Sequence, residues 1–378
     1  MDLPELTAMP ITDCHTHFGG KDLEAIDGML ESLAAGGVGR INILVSSFPG
    51  RVNGNPEALY AKAKHPERVY LFPGLDYSAV ARDIDHRLTY SLAEQVDRLA
   101  AMGCDGIKML NGKPNYRKAA GLALDSVIYD DYFERLEARG FPVLWHVNDP
   151  EEFWNPKEAP EWAKGPGWLY DDTFPTKESI YGECERALAK HPNLNIIFAH
   201  FYFLSDDLPR AAAFLDRYPR VTFDLAPGIE MLHNFTKRLD ETRDFFLKYQ
   251  DRILFGTDFA PGGVQSRIWV VRNFLETEEE FHVPTDESLF WPDHREIIRG
   301  IQLPQEVLEK IYRQNFERVV APAPRRLDPK QVIGELDRLA AIQDALGAPR
   351  NTARRVATRL TDESAKGGWT SAYLGRTL

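Results

Sequence analysis

Cysteine is scarce in this chain, and basic charge is in deficit. Three cysteines, Cys14, Cys104 and Cys184, are scattered through 378 residues without a CxxC pair. That spacing argues against a disulfide framework and fits a reducing cytoplasm. Acidic residues outnumber basic ones by 57 to 45, for a formal charge of −12. This balance argues against nucleic acid or an anionic membrane as the main partner and leaves a small molecule as the expected one. No apolar run approaches the ~20 residues of a membrane helix. The opening MDLPELTAMP lacks the basic and apolar regions of a secretory signal. A soluble, cytoplasmic protein is expected.

What the chain does have is an alternation of short apolar runs with amphipathic stretches. The runs are 11–17, 41–46, 69–75, 106–110, 142–147, 195–200, 221–225 and 253–259. They are rich in Ile, Val, Leu and Phe and nearly continuous, as strands buried on both faces of a parallel sheet are. Between them lie helical candidates at 22–35, 56–64, 88–102, 126–139, 177–190, 206–218, 235–250 and 265–276. Eight strands alternating with eight helices predict an α/β fold of the (β/α)8 TIM-barrel type. Lys64-His65-Pro66 and Lys190-His191-Pro192 end two of the helices, which makes His65 and His191 structural or solvated.

Two segments depart from the repeat. Residues 149–175, after the fifth strand, carry Trp154, Trp162, Trp168 and Tyr170 among five prolines. A connection this long is uncommon in a compact domain and predicts a lid over the C-terminal rim of the barrel, its aromatics against the substrate. From Pro322 the chain turns to a Pro/Arg linker, then to a stripe of Val332, Leu336, Leu339 and Ile342. The expected organisation is therefore a barrel over 1–321 and a helical arm over 322–378, packed on the barrel or on a neighbouring copy in a homo-oligomer.

Asp13-Cys14-His15-Thr16-His17 is the most informative stretch. On a strand, side chains two apart share a face, so His15 and His17 aim together while Cys14 and Thr16 face away. His146 ends the fifth strand, His200 the sixth and Asp258 the eighth. Parallel strands of a closed barrel end at one rim, so these five side chains converge there. Imidazole with carboxylate suits one divalent metal ion, zinc by default, with Fe²⁺, Mn²⁺, Co²⁺ and Ni²⁺ also compatible. A metal so held activates water, and a carboxylate beside that water can take its proton.

These motifs, with Gly256-Thr257-Asp258 and the stretch from Leu303-Pro304 through Tyr312-Arg313-Gln314-Asn315, resemble the amidohydrolase superfamily. Within it they look most like the amidohydrolase-related branch typified by aminocarboxymuconate-semialdehyde decarboxylase, over residues 11–320. The resemblance implies that His15, His17, His146 and Asp258 bind the metal. It implies that His200 either joins them or hydrogen-bonds the water or substrate on the metal, and that Asp258 is also the proton acceptor. Lys108, at the end of the fourth strand, has three readings: a carboxylated bridge between two metals, as in binuclear members; a cation for a substrate carboxylate; or a lysine reaching solvent. Lesser candidates are Asp224, as a partner to a metal ligand, and Glu230 and His233 in the following loop. Trp145 points away from His146 and is read as packing.

Two reactions use the same ligands. The first is hydrolysis of a lactone, amide or ester carbonyl by metal-activated water. The second is non-oxidative decarboxylation of an unsaturated or aromatic carboxylic acid. A third reading is a non-catalytic metal-binding barrel.

Overall fold

The computed structural model describes residues 8–20, 22–47, 50–78, 91–165, 167–263, 265–284 and 297–365. The start of the helix expected at 88–102, Pro166 of the long loop and the chain end from residue 366 lie outside the described residues.

Eight parallel strands are described: β1 (Ile11–His17), β2 (Val38–Leu44), β3 (Val69–Phe72), β4 (Ile107–Gly112), β5 (Val143–Val147), β6 (Ile196–Phe198), β7 (Val221–Asp224) and β8 (Ile253–Leu254). They pair in chain order as β1-β2-β3 and β4-β5-β6-β7-β8. Two seams close the ring. Gly74 bridges Lys108, and the Lys108 N–H donates to the Pro73 carbonyl at 3.0 Å. Thr16 bridges Phe259, the His17 N–H donates to the Phe259 carbonyl at 2.7 Å, and the Cys14 N–H donates to the Phe255 carbonyl at 3.0 Å. The result is a (β/α)8 barrel.

An outer apolar layer lies between strands and helices, and an inner one fills the barrel. The inner layer gathers Leu44, Tyr70, Phe72, Leu144, Ile197 and Leu254 with Phe316 and Val319. The last two come from the helix Asn315–Val319, which closes the end opposite the strand C-termini. Asn315 pins that helix by donating to the carbonyls of Gln250 and Ile253 at 2.7 and 2.8 Å. Cys14 belongs to this inner layer too, which corrects the expectation from simple alternation. The β1–β2 pairing shifts register between Asp13 and Thr16. A bulge there lets Cys14 fill the interior while His15, one residue on, still reaches the rim. Trp145 faces outward as expected, packed between Phe133 and Phe198.

Some helices differ from the pattern reading. The helix expected over 235–250 is two, Met231–Lys237 and Leu239–Lys248. Arg238, at φ −134°, breaks the ladder, and the Phe235 carbonyl accepts both the Arg238 N–H at 3.2 Å and the Thr242 hydroxyl at 3.0 Å. A short helix, Pro114–Ala120, follows β4 where none was expected. His65 and His191 are structural: His65 meets Asp27 at 2.8 Å and His191 meets Glu137 at 3.3 Å.

The arm consists of helices Pro329–Ala345 and Thr352–Ala365. The first lies on the barrel helix Leu92–Met102 and the second on Asn55–Lys64. Gly103 lets the segment leading into the arm pass close to the end of Leu92–Met102. It is left-handed, at φ +91°, and a Cβ there would sit 2.0 Å from the Arg326 carbonyl oxygen. Among the described residues no helix is long and apolar enough to cross a membrane.

Candidate metal centre

The site begins with β1, because the bulge brings both its histidines to the rim. Ligand atoms of His15, His17 and Asp258 all lie within 4.8 Å of one another. His15 Nε2 is 3.5 Å and His17 Nε2 3.1 Å from the same Asp258 oxygen. The other nitrogen of each ring is already engaged. His17 Nδ1 meets the Leu44 carbonyl at 2.8 Å, and His15 Nδ1 meets the Asp224 carboxylate at 2.8 Å. Carbonyl and carboxylate oxygens only accept, so both Nδ1 atoms donate and both Nε2 atoms keep a lone pair. Two lone pairs thus face one carboxylate. That arrangement repels itself unless a cation sits among the three groups, and it is the donor set of a divalent metal.

Electrostatics prepare the same groups. Burial, assisted by the Lys108 ammonium, holds the His15 imidazole well below histidine's ordinary pKa. Burial and the neighbouring His15 push His200 down to about 4. Both rings are therefore neutral at neutral pH, as ligands must be. Burial opposes ionisation of Asp258, and protonated rings at His17, His15 and His200 would hold its carboxyl well below the usual carboxylate range; with those Nε2 atoms unprotonated, a cation among them would take that part.

Asp224 organises the far side. Besides His15 it accepts the N–H groups of His200 at 2.7 Å and Ala226 at 3.1 Å. Burial pushes its carboxyl up to about 6, so it is ionised at neutral pH. The expectation that His200 ends a strand needs correction. β6 stops at Phe198, and His200 opens a left-handed turn with φ between +51° and +56° through Phe203. The Tyr181 hydroxyl holds this turn by donating to the Tyr202 and Phe203 carbonyls at 2.9 and 3.1 Å. His200 Nδ1 bonds the Ala226 carbonyl at 3.0 Å, leaving its Nε2 with the lone pair as well. The ring of His200 lies 5.0 Å from that of His15 and 4.9 Å from that of His146. Asp258 is likewise left-handed, at φ +55°, beyond the end of β8.

His146 stands in the same row of rings but outside the three-residue group, with Nε2 turned to Asp149 at 3.1 Å. Lys108 does not reach solvent. It is 2 % exposed, its ammonium has no hydrogen-bond partner among the described residues, and burial lowers its pKa to about 8. Glu230 and His233 line a separate cavity of about 290 Å³ with Glu152 and Lys237, so they do not join the metal group. Burial, with Glu152 nearby, pushes the Glu230 carboxyl up to about 8.

The loop over 149–175 covers the mouth. Trp162 and Trp168 line a cavity of about 110 Å³ together with His146, His200, Phe203 and Asp258. Trp154 and Tyr170 do not line it. They pack behind, 4.7 Å apart. The sequence reading missed Asp149, Lys113 and Phe203, all of which line this cavity. An acid three residues after a strand-end histidine was the available signal for Asp149. Lys113 and Phe203 carried none.

A barrel whose strand ends bring imidazoles and a carboxylate together is the architecture of a metal-dependent enzyme. The amidohydrolase family model matches residues 12–321, and the chain belongs to that family. Solved structures agree on the fold. A putative amidohydrolase from Staphylococcus aureus is 15 % identical, with 82 % of this chain and 99 % of that one covered, at a TM-score of 0.51. The 5-carboxyvanillate decarboxylase of Sphingomonas paucimobilis is 11 % identical over 82 % and 99 %, at 0.50. No curated protein sequence matches the chain.

Proposed function

We propose that the chain is a mononuclear, metal-dependent hydrolase of a small carbonyl compound, a lactone, amide or ester. The observation that carries this reading is the convergence of the His15 and His17 lone pairs on the ionised Asp258. His15, His17 and Asp258 would hold the ion, with His146 and His200 beside them. Bound there, zinc would lower the pKa of water toward ~7 and polarise a carbonyl oxygen. The chain's own groups do the rest. Asp258 is a carboxylate at working pH and takes the proton of the attacking water. His200, fixed by Ala226 and Asp224, orients that water or the substrate oxygen. Trp162, Trp168 and Phe203 wall the cavity against bulk water and favour a planar ligand.

A second reading is favoured by Lys108. A buried ammonium with no hydrogen-bond partner among the described residues is costly, and a substrate carboxylate would satisfy it. That suits non-oxidative decarboxylation of an unsaturated or aromatic acid. The test is metal analysis followed by a parallel screen of lactones, esters, amides and aromatic acids. About one zinc per chain with acid release from a carbonyl substrate is the expected outcome. Carbon dioxide from an aromatic acid, with no acid release, would replace the first reading by the second. A protein that neither carries nor takes up metal would sink both.

A further inference from the structure

Asp149 is where the loop over the mouth meets the strand that carries His146. It is 2 % exposed and fully engaged. His146 Nε2 donates to Oδ1 at 3.1 Å, the Lys113 ammonium contacts both oxygens at 2.6 Å, and the Tyr170 hydroxyl donates to Oδ2. Tyr170 lies 21 residues further along, on the far limb of the loop, and is itself 2 % exposed. Lys113 is gripped from the loop as well, its ammonium 4.5 Å from the centre of the Trp168 ring. One carboxylate therefore ties together the rim after β4, the end of β5 and the returning limb of the loop.

We propose that Asp149 is a positioning residue that couples closure of the aromatic loop to the orientation of His146. A carboxylate only accepts, so its bond fixes the proton of a neutral His146 on Nε2 and leaves the lone pair on Nδ1. Tyr170 stabilises that carboxylate from the loop side. When the loop lifts, the Tyr170 hydroxyl leaves, Lys113 loses its ring contact, and Asp149 draws in water. The bond that orients His146 weakens as a result. Conversely, a correctly seated His146 strengthens the latch. The coupling rests on the proposed function only in taking His146 as a residue of the site.

The test uses the full-length, metal-free protein, so its outcome is independent of turnover and of metal binding. Tyr170→Phe keeps the ring and removes only the hydroxyl. His146→Asn alters the strand and leaves the loop sequence intact. Loop opening is read from trypsin cleavage at Lys157 and Lys164, which are exposed on the loop. In the regime where reclosing is fast, cleavage tracks the open population. Tyr170→Phe should raise the cleavage rate about tenfold, the loss of one bond to a buried charge. His146→Asn should raise it too, and the double variant should fall at least threefold short of the product of the single effects. ¹⁵N spectra of the ring should show His146 with its proton on Nε2 in the wild type and a mixture of tautomers in Tyr170→Phe, a signature that simple packing of the loop would not move. Multiplicative cleavage rates with an unchanged His146 spectrum would overturn the proposal. The metal reading would stand even then.

Discussion

Replacing Asp224 by Asn isolates what a single buried acceptor contributes to the metal centre. The amide oxygen can still take the His200 and Ala226 N–H groups, now at 2.7 and 3.1 Å. Its NH2 then faces His15 Nδ1 across the present 2.8 Å contact. Two donors would meet. His15 can relieve the clash only by moving its proton to Nε2, which withdraws the lone pair from the ion, or by turning its ring. Either way a ligand is impaired while the shape of the interior is kept. Loss of such a supporting partner lowers metal affinity by roughly 10- to 100-fold, about 1.4 to 2.7 kcal/mol. The assay is zinc competition against a chromophoric chelator, with thermal melts of the metal-free protein as the control for folding. An Asp224→Asn protein that binds zinc within twofold of wild type and melts normally would refute the reasoning, because His15 would then need no fixed tautomer.

Three further outcomes follow from the same geometry. Asp258→Asn should cut turnover by roughly 10²- to 10⁴-fold, since an amide cannot take the proton, and a near wild-type rate on the true substrate would contradict that role. Trp162→Ala and Trp168→Ala should each raise KM by roughly tenfold with metal content unchanged, which steady-state kinetics and elemental analysis check. Glu230 is held protonated, up to about 8 from its ordinary 4.5, so the folded state binds a proton that the unfolded state has released. Its contribution to stability is complete below about pH 4.5 and is lost as pH rises toward 8, on the order of 2–4 kcal/mol across that window. Glu230→Gln should flatten this decline in denaturant titrations at pH 5, 7 and 8.5, and an unchanged pH profile would show that the carboxyl ionises freely.

The barrel was legible in the sequence because each strand is a nearly continuous apolar run buried on two faces, and because glycine and basic residues mark helix ends. His15, His17 and Asp258 were legible for the same reason: strand order alone brings their rims together. What period-two logic could not supply is the extra residue in β1. The bulge turns Cys14 inward beneath His15, and nothing in Asp-Cys-His-Thr-His announces it. The left-handed turn at His200–Phe203 was also hidden, since three bulky aromatics in succession disfavour positive φ. It exists because Asp224 and Tyr181, distant in sequence, hold its backbone groups. The Asp149 latch depends on Lys113 and Tyr170 arriving from separate connections, so no local pattern could mark it.

The seam between the first and last strands has a consequence for how the chain matures. Asp13 accepts the Thr257 N–H and hydroxyl across a sequence separation of 244 residues, and the Asp258 N–H donates to the His15 carbonyl at 2.8 Å. The ligand group is split across this junction, with both histidines on one side and the carboxylate on the other. A chain that has folded only its early βα units holds two imidazoles and no third ligand. Its affinity for an ion is correspondingly low, and contacts of such high order form late. Tight metal uptake therefore reports ring closure itself. On the proposed metal reading, the centre would load only once the stretch beyond β8 had docked against β1, and the ion would then act as a clasp on a topology that is otherwise slow to complete.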